Sequence, residues 1–294
     1  MISEYCKECY DTNQFVKVHY SHGIRNVGAT LPFLHYDKDL IIEYYRKGEA
    51  SIRIEGNLYD ISEGDIVFLN PDELHVSERK DICYMEKIVL HINDNLLTGF
   101  GCDNKLFFDT IARKAKGRGN HICADAAKKA GLDKIIDGCL NLAIEYSDEN
   151  GILLCCKTTE LLSMLAQLVS NDAEIDATVS SSNKLVNRIV DYINRHYNED
   201  VTLDTLSNRF HFSKYYLSHI FKEYVGISPV DYLIVRRLYN VNNFIRGGAS
   251  FKEASLSAGF NNYSNFFRLY KKHFNITPQQ FKDQIRINIA GKQQ

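Results

Sequence analysis

A twelve-residue pattern near the end of the chain occurs twice. The stretch FKEYVGISPVDY, residues 221–232, aligns with YKKHFNITPQQF, residues 270–281, at an offset of 49. In this register Phe221 pairs with Tyr270, Gly226 with Asn275, Ser228-Pro229 with Thr277-Pro278, and Tyr232 with Phe281. Two of the 4 prolines in the chain fall at the shared position. A fixed period means that one supersecondary unit is built twice.

Each copy predicts two short helices and a tight turn. In the first, Thr202 is an N-cap candidate before Leu203 and Leu206, and the turn around His211-Phe212 leads to a second cap at Ser213. Leu217, Ile220, Phe221 and Tyr224 then form the stripe expected to be buried, with Lys214, Tyr215, Ser218, His219 and Lys222 opposite. In the second copy Phe266, Phe267, Leu269 and Tyr270 are the core candidates. Asn262, Tyr263, Asn265, Arg268 and Lys272 are placed outward, and the offset sets His219 against Arg268. The stretch VDYLIVRRLYNVNNFIRGG between the copies reads as a long amphipathic helix stopped by Gly247-Gly248. The pattern is that of a double helix-turn-helix. Its second helices carry side chains suited to base edges, since Arg pairs bidentately with guanine and Asn with adenine.

Charge agrees. From Ser181 onward there are 16 Lys+Arg against 8 Asp+Glu, and the first 180 residues hold 19 against 29, within a formal net of −2. A basic C-terminal third on an acidic body suits a polyanion-binding module joined to something else. All 8 cysteines precede residue 157. Cys6-Lys-Glu-Cys9 has metal or redox spacing but lacks two further ligands, so these thiols are expected to be reduced and to pack as small hydrophobes. No apolar run of membrane-span length and no signal-peptide pattern stands out, so a cytoplasmic location and no membrane partner are expected.

Residues 15–95 read as short strands, LIIEYY (40–45), ASIRIEG (50–56), NLYDIS (57–62), DIVFLN (65–70) and MEKIVLHI (85–92), which suits an antiparallel barrel or sandwich. Residues 132–146 and 152–170 carry the i, i+3, i+4, i+7 spacing of two amphipathic helices. The polar stretch 171–183 is the best linker candidate.

The doubled unit resembles the AraC/XylS family of transcription regulators. The first motif is carried by Ser213, Tyr216-Leu217-Ser218, Phe221-Lys222, Gly226, Ser228-Pro229, Tyr232 and Arg236. The second is carried by Gly259-Phe260, Phe266, Arg268, Tyr270-Lys271, Thr277-Pro278 and Phe281. Tyr270, Asn275, Lys282 and Ala254-Ser255 depart from the usual Phe, Gly, Arg and Ile-Ala, the last expected to loosen the first helix of the second motif. The resemblance implies base contacts from Tyr215, Ser218, His219, Asn262, Tyr263, Asn265 and Arg268, and phosphate contacts from Lys214, Lys222 and Lys271. Residues 31–92 are similar, more weakly, to the cupin-type sensor domain of that family. This implies an effector cavity lined by His35, Glu43, Tyr45, Arg53 and His75.

The expected fold class is therefore α+β with two domains. A cupin-like β-barrel with a helical dimerisation segment spans 1–175, a linker 176–185, and an all-α double helix-turn-helix domain 186–294. The expected function is a transcription regulator answering to a small-molecule effector, with a sugar the first class to consider. Double-stranded DNA, RNA polymerase and a second copy of the chain are its expected partners. No enzyme activity, metal or cofactor is expected, because His35-Tyr36-Asp37 with His75 is one imidazole short of a metal cupin. The rival is a metal-dependent cupin enzyme fused to a DNA-binding module.

Overall fold

The computed structural model describes residues 6–10, 12–25, 37, 39–71, 73–78, 83–93, 95–97, 117–170 and 184–283. The chain divides into two compact units, Met1–Ser182 and Asn183–Gln294. The linker candidate 171–183 lies outside the described residues.

The first unit contains β1 (Cys6–Tyr10), β2 (Val16–Arg25), β3 (Leu40–Lys47), β4 (Ala50–Ile54), β5 (Asn57–Ile61), β6 (Ile66–Leu69), β7 (His75–Glu78), β8 (Cys83–Ile92) and β9 (His121–Ile122). They form a six-stranded sheet in the order β1-β2-β8-β3-β6-β9 and a three-stranded sheet in the order β5-β4-β7. Strand side chains alternate between faces. One face of the large sheet, with Val18, Ile42, Ile88 and Leu90, packs against helices. The other, with Ile41, Tyr45, Val67 and Val89, packs against Ile52, Ile54, Tyr59 and Ile61 of the small sheet. Burial on both faces explains why LIIEYY and DIVFLN read as nearly continuous apolar runs. Glu55 and Gly56, both at positive φ (48° and 86°), close the two-residue hairpin between β4 and β5 with the backbone twist such hairpins require.

Among the described residues three helices cover the large sheet: α1 (Ala124–Ala130), α2 (Leu132–Ile144) and α3 (Asp148–Ser170). Leu132, Ile136, Cys139 and Leu140 of α2 meet Leu154, Leu161, Leu162 and Leu165 of α3 in the core over that sheet. Each such side chain contributes about 1.5–3 kcal/mol by leaving water. Two expectations change here. An apolar run of membrane-span length does exist, since an 18-residue window within Asp148–Val169 has a mean hydropathy of 1.5. In this fold Leu154, Leu161, Leu162, Leu165 and Val169 of that run join the core just described, while Ile152 and Leu153 stay exposed. Cys6 and Cys9, expected to pack as small hydrophobes, are exposed on strand β1, where the period of two sends them to opposite faces so that the pair cannot chelate. Strand β1 and helix α1 carry no periodic signal long enough to have been foreseen.

The second unit is helical: α4 (Lys184–His196), α5 (Leu203–Phe210), α6 (Lys214–Val225), α7 (Pro229–Arg246), α8 (Phe251–Ser257) and α9 (Tyr263–Phe274). Helix α7 links a helix-turn-helix made by α5 and α6 to another made by α8 and α9. Phe221 of α6 meets Tyr232 of α7 edge to face at 5.6 Å. Phe266 and Tyr270 of α9 pack on Leu238, Val241 and Ile245 of α7. The Tyr270 hydroxyl donates to Asn242 Oδ1 at 2.6 Å inside this core, which accounts for Tyr where the related motif has Phe. Phe267, a core candidate in the sequence, is instead 38% exposed. With Phe266 and Tyr270 buried, the helical step of about 100° carries position 267 outward.

Candidate nucleic-acid interface

The two motifs are built by the same local chemistry with one difference in length. Thr202 and Thr205 form a capping box at the start of α5, as Ser250 and Glu253 do for α8. The Ser213 hydroxyl accepts from the Tyr216 N–H at 3.2 Å and starts α6, while Asn262 Oδ1 accepts from the Asn265 N–H at 2.9 Å and starts α9. Such caps satisfy amide donors that the first helical turn leaves unpaired. The caps lie 11 positions apart in the first motif and 12 in the second. His211 closes α5 in the left-handed region at φ 60°. The longer second turn uses Gly259 at φ +90°, where a Cβ would sit 2.8 Å from Asn198 Cα.

Applied to the structure, the 49-residue offset pairs exposed positions of α6 with exposed positions of α9. Tyr215, Ser218, His219 and Lys222 form a stripe at i, i+3, i+4, i+7, and Ser264, Phe267, Arg268 and Lys271 form its counterpart. All are exposed except Ser218, which is half-buried. Tyr215 is 81% exposed, and its ring lies roughly parallel to that of His219 with centroids 6.2 Å apart. Arg268 donates to Asn265 Oδ1 at 2.9 Å, which orients its guanidinium along the helix.

The remaining candidates take other positions. Lys214 and Lys222 are exposed, and Lys214 is ion-paired with Asp204 of α5. Asn262 is exposed, but its side-chain oxygen is engaged as the cap. Tyr263 leans on Phe266 at 5.6 Å. Ser264 and Phe267 were missed in the sequence. The signal was available, because the offset that pairs His219 with Arg268 also pairs Tyr215 with Ser264 and Ser218 with Phe267.

In the first unit, three of the five effector candidates approach the space between the two sheets. Glu43 is buried, accepts from the Tyr45 hydroxyl at 2.6 Å, and is bonded to Lys87 Nζ at 2.7 Å. Burial pushes the Glu43 carboxyl up, but the Lys87 ammonium and the Tyr45 hydroxyl override this and hold it down at about 2. His75 is buried, with Nδ1 3.0 Å from the Glu73 carbonyl and Nε2 3.9 Å from Asp37. Arg53 lies between Ile52 and Ile54 on β4, and both of these face the interior, so Arg53 points to the other side of the small sheet. His35 lies outside the described residues. Lys87 was not foreseen, because only the β3–β8 pairing brings it to Tyr45.

Comparison with known proteins follows the same division. Residues 206–284 match the helix-turn-helix domain HTH_18, and residues 32–81 match the AraC-like ligand binding domain. The protein named "Probable transcription factor PqrA" of Proteus vulgaris is 34% identical over 87 residues, 29% of this chain and 71% of PqrA. The chain belongs to the AraC family of transcription regulators. An uncharacterized HTH-type transcriptional regulator of Escherichia coli (strain K12), YdiP, is 24% identical over 265 residues, covering 88% of this chain and 83% of YdiP. ToxT from Vibrio cholerae aligns over 95% of this chain and 98% of its own at 14% identity, with a TM-score of 0.37, too low to relate the two folds.

As a member of the AraC family, the chain is a DNA-binding transcription regulator with a ligand-binding domain. Both outward stripes fall within the matched helix-turn-helix residues, and Glu43, Tyr45, Arg53 and His75 fall within the matched ligand-binding residues. The charge divides between the two units as it does in the sequence, since Asn183–Gln294 carries 16 Lys+Arg against 8 Asp+Glu.

Proposed function

We propose that this AraC-family regulator reads DNA through the two register-matched stripes and that an effector held between the sheets of its first unit sets the outcome. The observation that carries this is the register match of outward Tyr215, Ser218, His219 and Lys222 with outward Ser264, Phe267, Arg268 and Lys271. Two register-matched presentations on helices held by one linking helix suit successive major-groove faces, about 34 Å apart along the duplex. Arg268 reads a guanine edge, and Phe267 makes apolar contact with a thymine methyl. Tyr215, Ser218 and His219 supply the other reading, while Lys214, Lys222 and Lys271 hold phosphates. Asn262 acts mainly as a cap, Asn265 orients Arg268, and Tyr263 flanks the groove. The pairing of Glu43, Lys87 and Tyr45 offers donors and acceptors to a hydroxyl-rich ligand, which favours a sugar. The exposed Ile144, Tyr146, Ile152 and Leu153 at the α2–α3 end favour a homodimer, with RNA polymerase as the further partner of the DNA-bound form.

The test is a contrast among three variants on duplexes recovered by selection from a random pool. Arg268→Ala should cost about 1–3 kcal/mol on the selected site and relax discrimination at one base pair, and Phe267→Ala should relax discrimination at a thymine. Lys271→Ala should weaken selected and random DNA alike and lower the salt slope by about one. Three variants with equal losses on every duplex would reduce the stripes to a general basic surface.

A further inference from the structure

We propose that Cys6, Glu8 and His22 form a zinc-type metal site on the ribbon made by β1 and β2. The antiparallel register sets Cys6 opposite His22 and Glu8 opposite Tyr20. With a side-chain period of two, Cys6 and Glu8 share the face to which His22 belongs. The Cys6 Sγ, one Glu8 carboxylate oxygen and one His22 ring nitrogen all lie within 4.8 Å of one another. Zinc bonds of about 2.0–2.3 Å to N, O and S need only small rotamer changes to close on an ion from these positions.

The donor set narrows the choice of metal. A thiolate, an imidazole and a carboxylate suit Zn²⁺, whereas Mg²⁺ and Ca²⁺ favour oxygen alone. Three protein ligands with a fourth position open match the usual coordination of zinc outside closed structural sites. Supporting contacts are already in place. The Tyr10 hydroxyl donates to Glu8 Oε2 at 2.5 Å, leaving the other carboxylate oxygen for an ion. The His22 ring packs against Tyr20 at 5.2 Å, and the Tyr20 hydroxyl is itself held by Glu86 at 2.9 Å. Cys6 is an exposed free thiol, so binding converts it to thiolate and releases one proton to solvent. Among the described residues strand β1 stands at the edge of the large sheet and pairs with β2 alone. An ion shared by β1 and β2 would therefore clip this edge strand to the sheet.

Cys9 supplies the internal control, because it lies on the opposite face, across from His19. The experiment titrates cobalt(II) into the full chain, purified metal-free under reducing conditions. One equivalent should produce a thiolate-to-cobalt charge-transfer band that zinc then displaces. Cys6→Ser and His22→Ala should abolish the band, Tyr10→Phe should weaken binding about tenfold, and Cys9→Ser should leave it unchanged. Zinc should raise amide-exchange protection over residues 6–10 in the native chain and leave it unchanged in Cys6→Ser. Circular dichroism of each metal-free variant separates a lost ligand from a lost fold. Absence of the band in the native chain, its survival in Cys6→Ser, or its equal loss in Cys9→Ser would each overturn the site.

Discussion

Glu43 and Lys87 show how much one buried side chain can depend on another. The carboxyl is held down at about 2, below its ordinary 4.5, against burial that pushes the other way. A depressed folded value adds stability at pH above about 4.5, and this contribution is lost as pH falls from there toward 2. Removing the ammonium should be worse than removing both charges. Lys87→Met is expected to cost about 3–5 kcal/mol at pH 7, because it strands a carboxylate between the two sheets. The deficit should shrink in acid, where that carboxyl takes up a proton, and Glu43→Gln added to Lys87→Met should recover most of it. Urea unfolding at pH 7 and pH 4 measures both statements. A loss under about 1 kcal/mol at pH 7 would mean that solvent reaches the pair.

Turns carry the main difference between the two helix-turn-helix elements. Gly259 in the α8–α9 turn sits against Asn198, with a Cβ position 2.8 Å from its Cα and 2.9 Å from its carbonyl oxygen, while Gly226, which ends α6 at φ +88°, has open space around it. Gly226→Ala should therefore cost only the left-handed backbone penalty of about 1–2 kcal/mol. Gly259→Ala adds a clash with backbone to the same penalty and should cost clearly more, as thermal unfolding of the two variants would show. Equal costs would mean that the α8–α9 turn gives way easily. The elements themselves were legible wherever a period or a cap signals them. Thr202 and Ser213 start helices as expected, and LIIEYY and DIVFLN are strands. What stayed hidden depends on pairing between distant segments. Strand β1, the Lys87 contact with Glu43 and the meeting of Cys6 with His22 arise from strand register, which no local pattern encodes. Phe267 was misplaced for another reason. Its apolar side chain suggests a core position, whereas the repeat aligns it with the outward Ser218. Ala254 and Ser255, expected to loosen α8, are instead fully buried small residues that seat this short helix.

The two units differ most in charge. Asn183–Gln294 is net positive, with 16 Lys+Arg against 8 Asp+Glu, and Met1–Ser182 is net negative, with 19 against 29. DNA binding by the full chain should therefore weaken by orders of magnitude between about 50 and 200 mM salt, as several condensed counterions are released per complex. Fluorescence anisotropy across that range gives the slope, and a flat response would exclude phosphate contacts as the source of affinity. The same partition has a colloidal consequence. A sequence pI of about 6.6 suggests a nearly neutral particle, yet each unit presents a strong field of its own sign. Close to that pH nothing repels one copy from the next, and the basic unit of one molecule attracts the acidic unit of another. Such a bipolar colloid clouds in dilute buffer and clears as added ions screen the attraction within a Debye length of about 10 Å at 0.1 M. The protein should accordingly salt in, and it should be retained by both cation and anion exchangers at a pH where its overall charge predicts neither.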